Sequence, residues 1–203
     1  MLIKSEVNDY IKILWRITYA CNYNCSYCIE KQNVNSPKAK ISFEIAYNKA
    51  KDIYFLLKSM ENKQKKLEIT GGEPTLLDLK KILTPEILSI KNTIFFISTN
   101  ASKSLKYFED LFNYFYQFPN NFFINLSIHE DQINDFYQLL NKHLEIQKLR
   151  NGKITIQSSF VKTINNINEQ KNVKDFINCH KDFIVNFGTD HFETNLENLK
   201  KIG

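Results

Sequence analysis

Cys21-Asn22-Tyr23-Asn24-Cys25-Ser26-Tyr27-Cys28 closely follows a β-rich run at Ile11–Thr18 and holds three of the four cysteines in the chain. Thiolates at this spacing can bind an iron–sulfur cluster. Because a cubane cluster has four irons and this stretch supplies three ligands, one iron would be open to a ligand that is not protein.

Two other interpretations of these cysteines stay open. Structural zinc prefers four ligands, and the remaining candidates are Cys179, His180 and other distant histidines. Inert buried thiols would rarely lie so close together in a polar loop that also contains Asn22, Asn24 and Ser26. The spacing therefore favours a cluster over zinc or packed thiols.

Length and composition indicate one soluble domain. The 203 residues are 43% apolar and 24% charged, and no apolar stretch approaches the roughly 20 residues of a membrane span. Lys4, Glu6, Asp9 and Lys12 interrupt the apolar positions near the start, unlike the apolar segment of a secretory signal. We therefore expect a cytoplasmic protein whose thiols stay reduced, which strengthens the case for a metal or cluster.

The positive charge has a simple explanation. The net charge is +5, and the lysines are scattered apart from the run Lys63-Gln64-Lys65-Lys66. A solvated surface accounts for this pattern better than a nucleic-acid patch. We expect neither a nucleic acid nor a membrane as a partner.

The chain alternates β-rich and helical patterns. The expected strands are Ile11–Thr18, Lys66–Thr70, Thr93–Thr99, Phe122–Ile128, Ile154–Val161 and Phe183–Phe187, and the expected helices are 42–59, 78–90, 104–118, 132–149 and 172–179. Pro85 should bend or interrupt the second helix, and the continuous apolar run in Thr93–Thr99 predicts burial on both faces. Helices supply the crossovers that parallel strands need. Six such units are too few for a closed eight-stranded barrel, so we predict an α/β fold with parallel strands in an open, partial TIM-like barrel.

Unusual segments follow four of these strands. They are the cysteine stretch, Gly71-Gly72-Glu73-Pro74, Ser98-Thr99-Asn100 and Ser127-Ile128-His129. In such sheets ligands bind at the carboxyl ends of the strands, so we predict that the chemistry lies at this edge. Glycine allows close backbone approach or unusual conformations, and proline stiffens the exit. By themselves, however, the glycines would also fit an ordinary strand-to-helix turn.

Together, the two motifs resemble the radical S-adenosylmethionine (radical SAM) superfamily. The pattern Cys-x-x-x-Cys-x-aromatic-Cys follows the first strand, and Gly71-Gly72-Glu73-Pro74 follows the second. The resemblance covers roughly residues 11–161 and implies a partial (β/α)6 barrel. We expect one core domain over 1–203, with its core at about 11–187 and a short C-terminal extension at 188–203.

The resemblance implies a 4Fe-4S cluster on Cys21, Cys25 and Cys28, with S-adenosylmethionine (SAM) chelating the open iron. Reductive cleavage of SAM would give methionine and a 5′-deoxyadenosyl radical that abstracts hydrogen from a substrate. Tyr27 matches a position whose backbone contacts adenine. The edge formed by Gly71, Gly72 and Glu73 would accept hydrogen bonds from the ammonium group of SAM, with Glu73 holding the loop or contributing charge.

Polar residues on the later strands give weaker resemblances. Ser98 and Asn100 match in kind the residues that such proteins place near methionine or ribose, and Ser127 is similar to a ribose-contacting position. Gln157 on the fifth strand is expected to line the adenine side. The glycine-rich pattern that some relatives have on that strand is absent here.

A histidine and a late cysteine are further candidates. His129 ends a strand, where an imidazole could bind substrate or move a proton, although a lone histidine is more often a structural residue. Cys179, beside His180, could be a redox thiol or a partner of a substrate radical. A single buried cysteine in a helix is more often a packing residue, and we expect that role for it.

We therefore expect a radical SAM enzyme with one cluster and an external one-electron donor of the flavodoxin or ferredoxin type. The alternative is a non-catalytic iron–sulfur protein for electron transfer or assembly, but such a carrier would not need a SAM-binding edge. A zinc-stabilised interaction domain is a third hypothesis. The substrate is open: the short segment after residue 161 indicates a bulky substrate, a protein or peptide, or a closing subunit, while nucleotide-like substrates and glycyl-radical activation also fit.

Overall fold

The computed structural model describes residues 2–5, 10–26, 28, 43–129, 135–162 and 167–189. Its strands are β1 (Leu2–Ser5), β2 (Ile11–Thr18), β3 (Lys65–Gly71), β4 (Thr93–Thr99), β5 (Asn121–Ile128), β6 (Ile154–Lys162) and β7 (Val185–Thr189). Its helices are α1 (Phe43–Ser59), α2 (Leu79–Ile82), α3 (Pro85–Leu88), α4 (Leu105–Phe115), α5 (Phe136–Lys148) and α6 (Ile167–Cys179), and a turn of 3₁₀-helix spans Pro74–Leu76.

The strands form a single sheet in sequential order from β1 to β7. Strands β2 to β7 are parallel, whereas β1 pairs antiparallel with β2. The predicted α/β fold with six parallel strands in an open sheet is confirmed; β1 was not predicted. Because neighbouring parallel strands follow each other in the chain and such crossovers are right-handed, the helices cover one face of the sheet.

The hydrophobic core lies between this face and the helices. Alternate residues of β2 to β6 point into it, as Ile13 and Trp15 do on β2. Phe95 of β4 stacks on Phe122 of β5 with ring centroids 5.4 Å apart, and Phe122 stacks on Phe115 of α4 at 4.4 Å. These aromatic contacts fix β4, β5 and α4 against one another.

The prediction that β4 is buried on both faces was wrong. Its burial alternates, and Ile94 is 36% exposed. The helices that the structure describes cover one face of the sheet, here called the outer face. On the opposite, concave face the apolar residues shield one another. Phe96 stacks on Phe123 at 5.0 Å, and the Lys66 ammonium lies 4.1 Å from the Phe96 ring centroid.

The segment after β3 shows how proline divides a helix. The pattern predicted a helix over 78–90 interrupted at Pro85, and the structure has α2 and α3, the latter beginning at Pro85. Thr84 is extended, with φ −66° and ψ 161°, as expected for a residue before proline. In the described part of the chain, no helix combines the length and apolar composition of a membrane span.

Candidate functional site at the carboxyl edge of the sheet

The cysteine loop begins directly after β2. All four cysteines of the chain are thiols rather than disulfides. Cys25 is buried at 5% exposure, while Cys21 and Cys28 are half-buried. The N–H of Cys28 donates to the Cys25 carbonyl at 3.2 Å, which turns the chain between the last two cysteines. The loop thus presents three soft sulfur donors close to the end of a parallel strand.

Hydrogen-bond donors already point at Cys21. The backbone N–H of Tyr23 lies 3.4 Å from Cys21 Sγ, and the Asn100 amide nitrogen lies 3.9 Å from it. Burial raises the pKa of the Cys21 thiol, and the negative charges of Glu73 and Cys28 add to this, while both donors oppose it. A bound cation would instead lower the pKa of this thiol, because a coordinated thiol loses its proton.

His129, at the end of β5, lies beside the second cysteine. Its Nδ1 atom is 3.3 Å from Cys25 Sγ. The Tyr23 ring packs edge-on against the imidazole, with centroids 5.7 Å apart. The sequence pattern placed His129 at this edge but did not anticipate its contact with the loop, because that contact spans about a hundred residues of chain.

The glycine motif packs against the entry to the cysteine loop. Gly71 has a φ of +144°, and a Cβ there would lie 2.2 Å from the Thr18 carbonyl oxygen. A Cβ on Gly72 would lie 2.2 Å from the Ala20 carbonyl oxygen. The N–H groups of Gly72 and Glu73 donate to Thr18 and Ala20, each at 2.8 Å. The missing side chains therefore let the glycine motif make backbone hydrogen bonds to the residues just before the cysteine motif.

Glu73 is a fully buried connector. Its Oε1 accepts hydrogen bonds from the Thr75 N–H at 2.9 Å, the Thr75 hydroxyl at 2.5 Å and the Thr99 hydroxyl at 2.6 Å. Its Oε2 accepts from the Asn100 N–H at 2.6 Å. Of the two roles considered for Glu73, these contacts are those of a residue that holds the loop.

Asn100 links this connector to the cysteines. It is buried, and its amide nitrogen donates to Asn22 Oδ1 at 3.0 Å as well as approaching Cys21. Its Oδ1 accepts the Ser102 N–H at 3.0 Å. The side chain expected near SAM thus also positions the cysteine loop.

The other candidates occupy the concave face. Ser98 is in register with Asn125, and Asn125 with Gln157, while Ser127 is in register with Ser159. Tyr27 lies outside the described residues. Cys179 corrects the expectation of a buried packing residue: it is exposed, because it is the last residue of α6.

Sequence reasoning missed an amide network around Gln157. Asn186 donates to Gln157 at 2.6 Å, Gln157 to Asn125 at 3.4 Å, and Asn125 to the Ser159 hydroxyl at 3.0 Å. The network gives the concave face of β5 to β7 an uncharged, hydrogen-bonding wall. A polar residue between two apolar ones in a strand, such as Asn125 between Ile124 and Leu126 of β5, was the available signal.

A cavity lies between Tyr23 of the cysteine loop and the helices α4 and α5. It has a volume of about 460 Å³ and is lined by Tyr23, Leu105, Gln138, Leu139 and Lys142.

Among the described residues, no three His, Cys, Asp or Glu side chains gather closely enough to bind a single metal ion. The case for a cluster rests on the three thiols and on the two donors directed at Cys21, which suit an iron-bound thiolate.

The family model for the radical SAM superfamily matches residues 15–202. The chain belongs to this superfamily of enzymes. A comparison of this radical SAM sequence with curated proteins finds no match.

Solved structures with the same fold include native anSMEcpe with bound AdoMet, at a TM-score of 0.63 and 16% identity over 88% of this chain and 51% of that one. Native anSMEcpe with bound AdoMet and Kp18Cys peptide has a TM-score of 0.60 and 17% identity over 88% and 51%. The complex with Cp18Cys peptide has a TM-score of 0.61 and 16% identity over 87% and 50%. The radical SAM chain described here spans about half the length of these neighbours.

Proposed function

We propose that this protein binds a 4Fe-4S cluster through Cys21, Cys25 and Cys28 and uses it to cleave SAM. The observation that carries the proposal is the packing of Gly71-Gly72-Glu73 against the residues that lead into the cysteine stretch, with backbone hydrogen bonds to Thr18 and Ala20. An electron carrier has no need of this second motif. When bound, the cluster and SAM would supply reductive cleavage to a 5′-deoxyadenosyl radical that abstracts hydrogen from a substrate.

The chain's own residues would position these groups. Gly71 and Gly72 hold the β3 edge against the loop, so that this edge can accept hydrogen bonds from the SAM ammonium. Ser98, Ser127 and Gln157 would meet SAM from the concave face. Asn100 would contact SAM and would also hold the cysteine loop in place through its hydrogen bond to Asn22. Tyr27 would contact adenine through its backbone.

For the substrate, we propose a peptide or protein. Next to Gln157, the side chains of Asn125, Ser159 and Asn186 carry amides and a hydroxyl and no charge, which suits the amide groups of a peptide chain. Structures of anSMEcpe with bound peptides share this fold. We propose further that residues 1–203 form one core unit, with its core at 11–187, that it works in the cytoplasm, and that a flavodoxin- or ferredoxin-type protein supplies its electron.

The decisive experiment is anaerobic reconstitution with iron and sulfide, followed by dithionite, SAM and an assay for 5′-deoxyadenosine. We expect product from the native protein and none from the Cys25→Ala variant. Cys179→Ala is the matched control, because it also removes one thiol but at an exposed position outside the loop; it should keep full activity.

The other outcomes separate the alternatives. Product from Cys25→Ala would overturn the ligand assignment. A cluster that forms but never cleaves SAM would favour the electron-transfer protein. Zinc in place of iron, with no brown colour, would identify a zinc-stabilised domain.

A further inference from the structure

We infer that His129 donates a hydrogen bond from Nδ1 to the Cys25 thiolate and thereby raises the reduction potential of the cluster. His129 is then a positioning and tuning residue rather than one that contacts substrate. The inference rests on the proposed cluster, and it assigns a function to a contact that the superfamily motifs do not include.

The geometry brings the two side chains together from distant parts of the chain. Cys25 lies in the loop after β2 and His129 follows β5, and their Sγ and Nδ1 atoms are 3.3 Å apart. Distances to sulfur are longer than those to oxygen, so this separation is a hydrogen-bond distance. The Tyr23 ring, 5.7 Å from the imidazole centroid, restricts its rotation.

The chemistry of the ligand fixes the direction of this hydrogen bond. An iron-bound cysteine is a thiolate, which carries no proton and can only accept. The Nδ1 atom of His129 must therefore carry the proton when the cluster is present. Cys25 is 5% exposed, so water has little access to this sulfur and a protein donor matters more there.

The donor should favour the reduced cluster. Reduction adds negative charge that the cluster shares with its thiolates, and a hydrogen bond to a cluster sulfur stabilises that charge. The Asn100 amide makes a similar but longer approach to Cys21, at 3.9 Å. The shorter contact to the more buried sulfur should have the greater effect.

The first test is an anaerobic redox titration of the reconstituted protein, followed by EPR. In His129→Leu, which removes the donor, the midpoint potential should become more negative at unchanged iron and sulfide content. In His129→Asn the amide nitrogen can take the place of Nδ1, and the potential should return toward the native value. His180→Gln, at a histidine that follows α6 and packs on Phe176, should leave the potential unchanged.

The second test needs no variant. In native protein with ¹⁵N-labelled histidine and no SAM, electron spin-echo spectroscopy of the reduced cluster should show one weak ¹⁵N coupling. A strong coupling would mean that histidine binds iron directly, and no coupling would mean that no imidazole contacts the cluster; either result overturns the inference. So does an unchanged potential in a fully loaded His129→Leu protein.

These outcomes are distinct from failure of the proposed function. If the native protein forms no cluster, the proposed function fails. If it forms a cluster and cleaves SAM but lacks the histidine coupling, only the role of His129 is wrong.

Discussion

The backbone N–H of Asn100 donates to the Glu73 carboxylate at 2.6 Å, which joins the end of β4 to the end of β3. Asn100 in turn donates from its side chain to Asn22 in the cysteine loop at 3.0 Å. Two hydrogen bonds of Asn100, one to Glu73 and one to Asn22, therefore connect the glycine motif, the end of β4 and the cysteine loop. A substitution of Glu73 should alter the position of Cys21, although the two side chains are linked through Asn100.

Glu73→Gln should destabilise the protein by about 2–3 kcal/mol, because a buried carboxylate that accepts four hydrogen bonds becomes an amide with one oxygen. The amide NH₂ would face a donor at Thr99 or at Asn100. Urea unfolding measures the loss, and iron per chain after reconstitution should also fall. Glu145→Gln, at an exposed ion pair with Lys148, is the control and should change stability by less than about 0.5 kcal/mol. Equal stabilities of the two variants would contradict the connecting role of Glu73.

Gly72→Ala should cost about 1–3 kcal/mol and lower cluster content, because its Cβ would lie 2.2 Å from a backbone oxygen that cannot move without the loop. Gly152→Ala is the matched control, since a Cβ there meets nothing within 4 Å. Unfolding by urea and iron analysis of both variants provide the comparison. A Gly72→Ala protein with native stability and iron would show that the motifs need not pack so closely.

His143 should make the fold sensitive to acid. Burial lowers its pKa from 6.5 to about 3, with smaller contributions from Lys142 and His129. The unfolded chain therefore gains a proton below pH 6.5 while the native chain does not, so stability is full above pH 6.5 and falls progressively toward pH 3. Between pH 7.5 and pH 5 this group should account for a loss of about 2 kcal/mol.

The His143→Asn variant isolates this contribution. The amide can replace the contact of Nδ1 with the Ser158 hydroxyl, which is 3.0 Å in the native protein, but it cannot titrate. The measurement is the free energy of unfolding at both pH values in the variant and the native protein. If the two lose the same stability on acidification, His143 does not titrate as expected.

Lys65→Met should destabilise the fold by about 2–4 kcal/mol. The Lys65 side chain is fully buried, and its ammonium donates to the carbonyls of Met60, Lys63 and Lys91 at 3.2, 3.2 and 2.8 Å. Methionine fills the space but leaves these carbonyls without this donor. Lys63→Met, at an exposed neighbouring position, should be nearly neutral in the same urea titration. A nearly neutral Lys65→Met would show that water replaces the ammonium.

Much of the architecture could be predicted because its signals are local. Strands β2 and β4 have the expected bounds, and the motifs follow the strands as expected. Strand β1 escaped prediction because a four-residue strand carries too little pattern. The exposure of one face of β4 also escaped, because a continuous apolar run does not reveal whether both faces are covered.

The order of strands, helices and cysteines could be predicted from the sequence, since periodicity, prolines and ligand spacing are local properties of neighbouring residues. The roles of Glu73, Asn100 and His129 depended on folding, because their partners lie 27, 78 and 104 residues away. Contacts over such separations leave no trace in a single sequence. They exist because parallel strands bring their carboxyl ends to one edge, where side chains from different parts of the chain meet.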